Sequence, residues 1–173
     1  GGPPDPVSIG IVQSLKRHNS FFTGTTYFPP TDIILDLFLS TFRNANTIAI
    51  LRNPAEPNSE AVATSFIKFA KKKNIKIIDL PSTDGSQIDA SMRSLSTNKV
   101  DGLFIPTDNL VYSMLDKVIS AANDLNVPTF SCTKLSVEKG VLFSIGTNYE
   151  TVGEISANVA SEIIFLKKKP QNI

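Results

Sequence analysis

The chain has 173 residues, of which 41% are hydrophobic and 19% charged, and its formal net charge is +1. This composition is typical of a globular domain, and the nearly neutral charge gives no electrostatic reason to expect nucleic acid as a partner. The only cysteine is Cys132, which excludes an intrachain disulfide and a cysteine metal cluster, and the only histidine is His18, which excludes a multi-histidine metal site. No apolar run is long enough to span a bilayer. We therefore expect no metal, no cofactor and no transmembrane segment.

The first 45 residues predict helices and a loop. The opening, Gly1–Pro6, contains no signal peptide and is typical of an artificial start or of a point within a longer protein. Asp5-Pro6 predicts a helix start with proline at the first helical position, and the apolar residues of 9–15 continue a short face. A polar loop follows at Ser20–Thr26, and Pro29–Asp32 opens a second helix that continues to about Phe42.

From residue 47 onward, short apolar runs alternate with amphipathic segments. Each run is rich in Val, Ile, Leu or Phe, which is typical of a parallel strand buried on both faces. The first four runs begin roughly 27 residues apart, as successive strand–helix–strand crossovers require. The predicted strands are Thr47–Leu51, Ile75–Leu80, Gly102–Ile105, Pro128–Ser131 and Val141–Ile145.

Helical patterns lie between these runs and after the last one. The first ends at Lys73-Asn74, and the second follows the turn signal Asp84-Gly85-Ser86. The third runs from Leu110 and stops at Asn126, and a long final helix extends from Val152 to about Leu166. The alternation predicts an α/β fold with a doubly wound parallel sheet and right-handed crossovers. The flanking helices have few strands to cover, so we expect them to belong to an incomplete second lobe.

Two polar loops follow strands of the predicted sheet. Arg52–Ser59 comes after the first strand and Pro106–Asn109 after the third. Carboxyl ends of parallel strands meet at one edge, where α/β sheets collect ligands, so the loops predict one wall of a binding site. Free amides where the following helices begin would favour an anion, and Asp108 would accept from a cation. The candidates are Asn53, Glu56, Asn58, Ser59, Thr107, Asp108 and Asn109.

An alternative role for these residues is helix capping. Asn58 or Ser59, and Asp108 or Asn109, have the side chains that cap helix N-termini. Capping and ligand binding can coexist in one residue, so the alternative stays open. The lysine runs at 71–73 and 167–169 are interpreted as solvated helix ends that complement the helix dipole.

Catalytic constellations are missing from the sequence. It contains no glycine-rich phosphate loop, and a single histidine in a loop-like context makes a Ser-His-Asp set implausible. The single Cys132 also rules out a two-cysteine racemase. We expect a protein that is not an enzyme.

Several short motifs follow one another along nearly the whole chain. They are Asp5-Pro6-Val7 with Gly10–Leu15, Thr23-Gly24-Thr25, Ile48–Pro54 with Glu56–Ser59, Val100–Asn109, Val127–Phe130, Gly140-Val141, Ile145-Gly146 and Tyr149–Gly153. In this order they resemble the motifs of ABC-transporter substrate-binding proteins, in the family that includes tryptophan-type, aromatic amino-acid binders. The resemblance departs at Arg17–Phe21, and at Asn148, where the family usually has an aspartate that could pair with a ligand ammonium.

The resemblance implies the Rossmann-like lobe of a type I periplasmic binding protein fold. Family members have two α/β lobes joined by a hinge, so this chain would cover about the second half of a full-length member. Residues 1–28 would be a partial amino-terminal lobe and the entry to the hinge, and residues 29–132 the carboxy-terminal α/β lobe. Residues 133–173 would be a strand and helix that return to the amino-terminal lobe.

The resemblance also implies a function. The protein would bind a small solute, an amino acid and by likeness to the tryptophan-type members an aromatic one, in a cleft between two lobes. It would deliver the solute to an ABC permease and its ATPase, from a periplasmic or extracellular membrane-anchored position. A ligand-binding sensor domain of a transcription regulator or receptor kinase is the alternative, because it shares this fold.

The resemblance adds further candidate ligand contacts. Thr23, Gly24 and Thr25 would form a ligand-facing loop near the hinge, although a simple glycine-containing turn is an equal alternative. Ser131 ends the fourth strand and would line the cleft, and Asn148 would contact the ligand. Cys132, next to Ser131, is interpreted as a buried small hydrophobe.

Overall fold

The computed structural model describes residues 5–7, 9–15 and 21–173. His18 and the departure from the family pattern at Arg17–Ser20 lie outside the described residues, as do Gly1–Pro4. Contacts divide the chain into two compact units. The sheet unit comprises residues 29–146, and the terminal unit comprises residues 1–28 with 147–173.

The sheet unit contains a five-stranded sheet in which every pairing is parallel, in the order β2-β1-β3-β4-β5. This confirms the predicted doubly wound α/β fold. The elements of the unit are α1 (Thr31–Thr41), β1 (Thr47–Arg52), α2 (Pro57–Lys72), β2 (Lys76–Pro81), α3 (Gly85–Ser94), β3 (Gly102–Ile105), α4 (Asn109–Ser113), α5 (Leu115–Asp124), β4 (Thr129–Ser131) and β5 (Phe143–Ser144).

Helices cover both faces of the sheet. On one face α1 and α2 pack on phenylalanines, with the rings of Phe66 and Phe104 stacked 4.1 Å apart and those of Phe38 and Phe130 4.3 Å apart. On the other face α3 and α5 cover the alternate residues of β1 and β3. A Cβ on Gly102 would lie 2.4 Å from the Phe38 ring, so this close packing requires glycine at the start of β3.

Three elements of the sheet unit differ from the sequence-based expectations. The strand β2 is not buried on both faces, because it forms the sheet edge and pairs with β1 alone among the described strands; Lys76, Asp79 and Pro81 are exposed. The strand β5 has two residues where five were predicted. The third predicted helix is two helices, α4 and α5, because the backbone of Met114 leaves helical values (φ −111°, ψ 13°).

The terminal unit contains the helix α6 (Tyr149–Ile164), which begins three residues before the predicted Val152. The helix predicted at Asp5-Pro6 is wrong for the residues described there, which form turns and bends. Gly10 has a φ of +75°, and the amides of Ile11 and Val12 both reach back to the Pro6 carbonyl, so the chain turns once without continuing as a helix.

The resemblance implied that residues 133–173 are a strand and helix that return to the amino-terminal lobe. By contacts, the division falls after residue 146, since Phe143 and Ser144 pair with Phe130 and Ser131 in the sheet. The assignment of the two units to lobes of a larger receptor stays a prediction. Within the described part of the chain, no helix has the length and apolar character needed to cross a membrane.

Candidate functional site

The strand order places a topological switch point between β1 and β3. These two strands are parallel neighbours, with Ile50 opposite Phe104. The helix that follows β1 covers one face of the sheet, and the helices that follow β3 cover the other. In folds of this order, ligands bind at the carboxyl ends of two such strands. The first loop (Asn53–Ser59) and the second loop (Pro106–Asn109) meet there.

Asp108 in the second loop is buried, with 4% of its surface exposed, and its carboxylate bonds to both loops. One oxygen accepts from the Val111 amide at 2.9 Å and so caps α4. The other accepts from the Asn53 amide at 2.5 Å and from the Ser59 hydroxyl at 2.6 Å. The carboxylate is therefore satisfied by the protein itself, and a ligand ammonium would have to displace one of these donors.

Glu56 in the first loop makes the reciprocal connection. Its carboxylate accepts from the Asn109 amide at 2.9 Å, from the Asn109 side-chain amide at 2.7 Å and from the Leu110 amide at 3.1 Å. It also accepts from Asn53 Nδ2 at 3.3 Å. Burial by itself raises the pKa of Glu56, but the hydrogen bonds from Asn109, Leu110 and Asn53 together outweigh burial and hold the pKa below its ordinary value.

Asn58 and Thr107 complete the contact between the loops. Asn58 Nδ2 donates to the Thr107 carbonyl at 2.8 Å, and the Thr107 hydroxyl lies 3.3 Å from Cys132 Sγ. The Cys132 thiol is buried, and this burial raises its pKa to about 11, so the thiol stays protonated at neutral pH. All seven candidates from the two loops thus lie together, joined mostly to one another.

The capping alternative is right for Asp108 and wrong for Asn58 and Ser59. The cap position of α2 is Glu56, which makes no side-chain bond to its own helix, and Asn58 and Ser59 lie inside the first turn. Their side chains bond to the second loop because the two strands place the loops side by side. The first amides of α4 bond to Glu56 and Asp108, so the expected anion site at the start of that helix is not available.

Two amide oxygens of this wall remain open for a ligand. Among the described residues, no group donates to Asn58 Oδ1 or Asn109 Oδ1, since the hydrogen bonds of both side chains run through Nδ2. Asn109 is exposed and Asn58 is half-buried. These two oxygens are neutral side-chain acceptors that could receive hydrogen bonds from a bound molecule.

Ser131, the other candidate in the sheet unit, is used internally. It is 1% exposed at the end of β4, and its hydroxyl bonds to the Ser136 hydroxyl. The Thr133 amide also donates to it at 3.2 Å. These bonds fix the turn that follows β4, and they explain Ser131 without a ligand.

The remaining candidates lie in the terminal unit. Thr23, Gly24 and Thr25 line a cavity of about 180 Å³, whose apolar walls include Ile11, Val12, Leu15 and Phe22. The Thr25 hydroxyl lies 2.6 Å from the Ser156 hydroxyl, which ties this segment to α6. Asn148 is exposed and caps α6 by accepting from the Glu150 amide at 3.0 Å. Ligand contacts by these four residues stay predictions.

Sequence reasoning assigned no role to Arg52, which ends β1 beside the site. Its guanidinium donates twice to the Asp79 carboxylate at 2.8 Å and pairs with Glu60. The hydrogen bond with Asp79 is the main cause that raises the pKa of Arg52. The sequence feature that could have predicted this ion pair is a charged residue at the end of an apolar strand, with an acidic residue in the neighbouring strand. The pairing holds the start of α2 against β2.

Thr147 is a second residue without a predicted role. It is 8% exposed, and its hydroxyl oxygen is buried with no hydrogen-bond partner in the described part of the chain. Nothing in the sequence distinguishes this threonine from one that caps or packs.

Solved structures with the same fold define the class of this protein. A conserved domain protein from Vibrio cholerae superposes with a TM-score of 0.89 at 25% identity, over 98% of this chain and 57% of that one. The ABC domain in complex with L-Trp from Streptococcus pneumonia gives a TM-score of 0.87 at 24% identity, over 98% and 57%. The ligand-free, open structure of a substrate binding protein with adhesive properties from Clostridium difficile gives 0.76 at 31% identity, over 96% and 56%. The fold is that of the periplasmic binding proteins.

The family follows from the sequence match. The model of the ABC transporter substrate binding protein family matches residues 2–173, and the chain belongs to that family. A curated relative, the tyrosine-binding protein of Clostridioides difficile (strain R20291), is 31% identical over 160 residues, which is 92% of this chain and 46% of the relative. The chain thus spans about half the length of the curated relative that it matches.

Proposed function

We propose that the chain is part of the solute-binding component of an ABC importer, and that the solute is an aromatic amino acid, with tyrosine the first choice. The observation that carries the proposal is the meeting of two interlocked polar loops at the switch point, in a chain of the substrate-binding family. The 31% identity to a tyrosine-binding protein over most of this chain supports the choice of ligand.

The chemistry of the wall fits one end of an amino acid. A free amino acid is a zwitterion, so its receptor needs acceptors for the ammonium and donors for the carboxylate. Asn58 Oδ1 and Asn109 Oδ1 are neutral acceptors suited to the ammonium, while the carboxylates of Glu56 and Asp108 are occupied by protein donors. Binding through amide oxygens leaves the wall able to release its ligand, because a hydrogen bond from an ammonium to a neutral amide oxygen is weaker than one to a carboxylate.

The proposal includes the partners and the location of the whole protein. An ABC permease and its ATPase would receive the solute, and the receptor would act outside the cytoplasmic membrane. Binding and release, with no chemical change in the solute, would be its whole activity.

Isothermal titration calorimetry on the complete gene product that contains this sequence tests the function. L-tyrosine is expected to bind with one site per chain. Tyramine, which lacks the carboxylate, and 3-(4-hydroxyphenyl)propionate, which lacks the ammonium, should each bind at least tenfold more weakly, as expected when a buried polar partner is left unpaired. A protein that binds none of tyrosine, tryptophan and phenylalanine would disprove the proposal.

A further inference from the structure

Glu56 occupies the cap position of α2 but does not serve that helix. It makes no side-chain hydrogen bond to α2, and glutamate is not among the residues favoured at an N-cap. Three of its four hydrogen bonds instead reach Asn109 and Leu110, at the start of α4 in the next crossover. The side chain of the residue that precedes α2 thus bonds to the start of α4.

Asp108 makes the opposite connection, from the cap position of α4 to the first loop. In all, six hydrogen bonds join the two loops and their helices: Glu56 receives three, Asp108 receives two, and Asn58 donates one. The exchange is reciprocal, because each carboxylate accepts from backbone amide or side-chain groups of the opposite segment. These hydrogen bonds hold the carboxyl ends of β1 and β3 in a fixed position relative to each other.

The short helix α4 depends on this exchange. It has only five residues, Asn109–Ser113, and the chain departs from helical geometry at Met114 before α5 begins. A helix of about one turn has little stability of its own, so its position must come from external contacts. The negative charge of Glu56 at its amino end also favours the helix dipole. Without Glu56, the second loop keeps Asp108 but loses the bonds to its first two helical amides.

We propose that Glu56 is a positioning residue of the ligand wall. Its carboxylate holds the second loop and α4 in place, so that Asn109 presents its amide oxygen to the ligand. The Glu56 side chain itself does not contact the ligand. This rests on the proposed function. Asn109 is the residue most affected, since its backbone amide and its side-chain amide both donate to Glu56. Fixing Nδ2 on Glu56 fixes the direction in which Oδ1 points.

The test compares Glu56→Gln with Glu60→Gln in the complete gene product. Glu60 is a matched control because it lies only four residues further along, in the first turn of α2, and undergoes the same change, but it pairs with Arg52 and not with α4. Tyrosine affinity is measured by calorimetry well below the unfolding temperature, and backbone amide hydrogen exchange is measured at Asn109 and Leu110. A merely structural role would lower the unfolding temperature without changing the affinity of the folded protein.

Glu56→Gln is expected to weaken tyrosine binding about tenfold and to accelerate exchange at Asn109 and Leu110, while Glu60→Gln changes neither, because only the first substitution removes an acceptor from the second loop. Unchanged affinity in Glu56→Gln, when the unsubstituted protein binds tyrosine, would overturn the positioning role. If the unsubstituted protein binds no aromatic amino acid, the proposed function fails instead, and unchanged exchange in Glu56→Gln would then reject the ordering of the loop as well.

Discussion

At the scale of single residues, Asp108 carries the most consequential side chain of the site. Its carboxylate caps α4 and also accepts hydrogen bonds from an amide and a hydroxyl of the first loop. Only 4% of the residue is exposed. A buried carboxylate with this many donors is stable only while all of them point at it. A ligand ammonium is therefore a poor explanation of this aspartate, and an internal tie between the loops is a sufficient one.

Asp108→Asn is expected to destabilise the sheet unit by about 2–3 kcal/mol, because an amide nitrogen would replace one acceptor oxygen and face an N–H or O–H donor. Asp84→Asn is the matched control: Asp84 caps α3 by accepting from the Gln87 amide at 3.0 Å, and asparagine caps as well as aspartate. Urea unfolding followed by circular dichroism gives both free energies of unfolding. Equal losses in the two variants would contradict the special role of Asp108.

At the scale of elements, the connection between α2 and α4 depends on the ionisation of one glutamate. The hydrogen bonds of Glu56 lower its pKa in the folded protein below its ordinary value of 4.5, which the unfolded chain retains. The stabilisation is therefore fully present above the ordinary pKa and is lost as the pH falls through the lower, folded pKa. Acidification through the folded pKa should therefore loosen the second loop, which is held in place at neutral pH.

The lowered pKa of Glu56 predicts how the stability difference between Glu56→Gln and the unsubstituted protein depends on pH. At pH 7 the variant should be less stable than the unsubstituted protein, because glutamine offers one acceptor oxygen and no charge. The difference should shrink as the pH falls through the lowered pKa of the folded protein, since Glu56 is then protonated in both the folded and the unfolded state. Urea unfolding from pH 3 to pH 7 measures the difference. A gap that stays constant over this range would argue against an ionised Glu56 as the connecting group.

The elements themselves were largely predictable, and the reasons are local. Runs such as Thr47–Leu51 and Gly102–Ile105 gave the strands, because a buried parallel strand must be apolar on both faces. The same rule misjudged β2, whose edge position depends on strand order and not on its own residues. The start predicted at Asp5-Pro6 failed because Gly10 adopts a left-handed conformation, which apolar periodicity does not reveal.

The partners within the site were not predictable from local pattern. The sequence placed the two loops at one sheet edge, but it did not show that Glu56 bonds to Asn109 and Leu110 or that Ser59 bonds to Asp108. These pairs are about 50 residues apart along the chain, and they meet only through the register of β1 against β3. The polar residues that indicated a ligand are thus partly explained by the contact between the loops.

At the scale of the whole molecule, the order of the strands decides where the site lies. A switch point between β1 and β3 brings together loops that follow non-consecutive strands, with helices on opposite faces of the sheet. In this chain the two loops are joined by six hydrogen bonds, so they are held together without a ligand. Preorganisation of this kind lowers the entropy cost of binding.

We propose that this bridged pair of loops forms a wall of an aromatic amino-acid site. An NMR titration of the ¹⁵N-labelled complete gene product with L-tyrosine tests this, following the backbone amides of the two loops and the side-chain amides of Asn58 and Asn109. We predict saturable shifts in both side-chain amides and in the loop backbone, with little change at Asn123 and Asn126, at the far end of α5. Saturable tyrosine binding that leaves both loops unperturbed would show that the loops are not part of the ligand site.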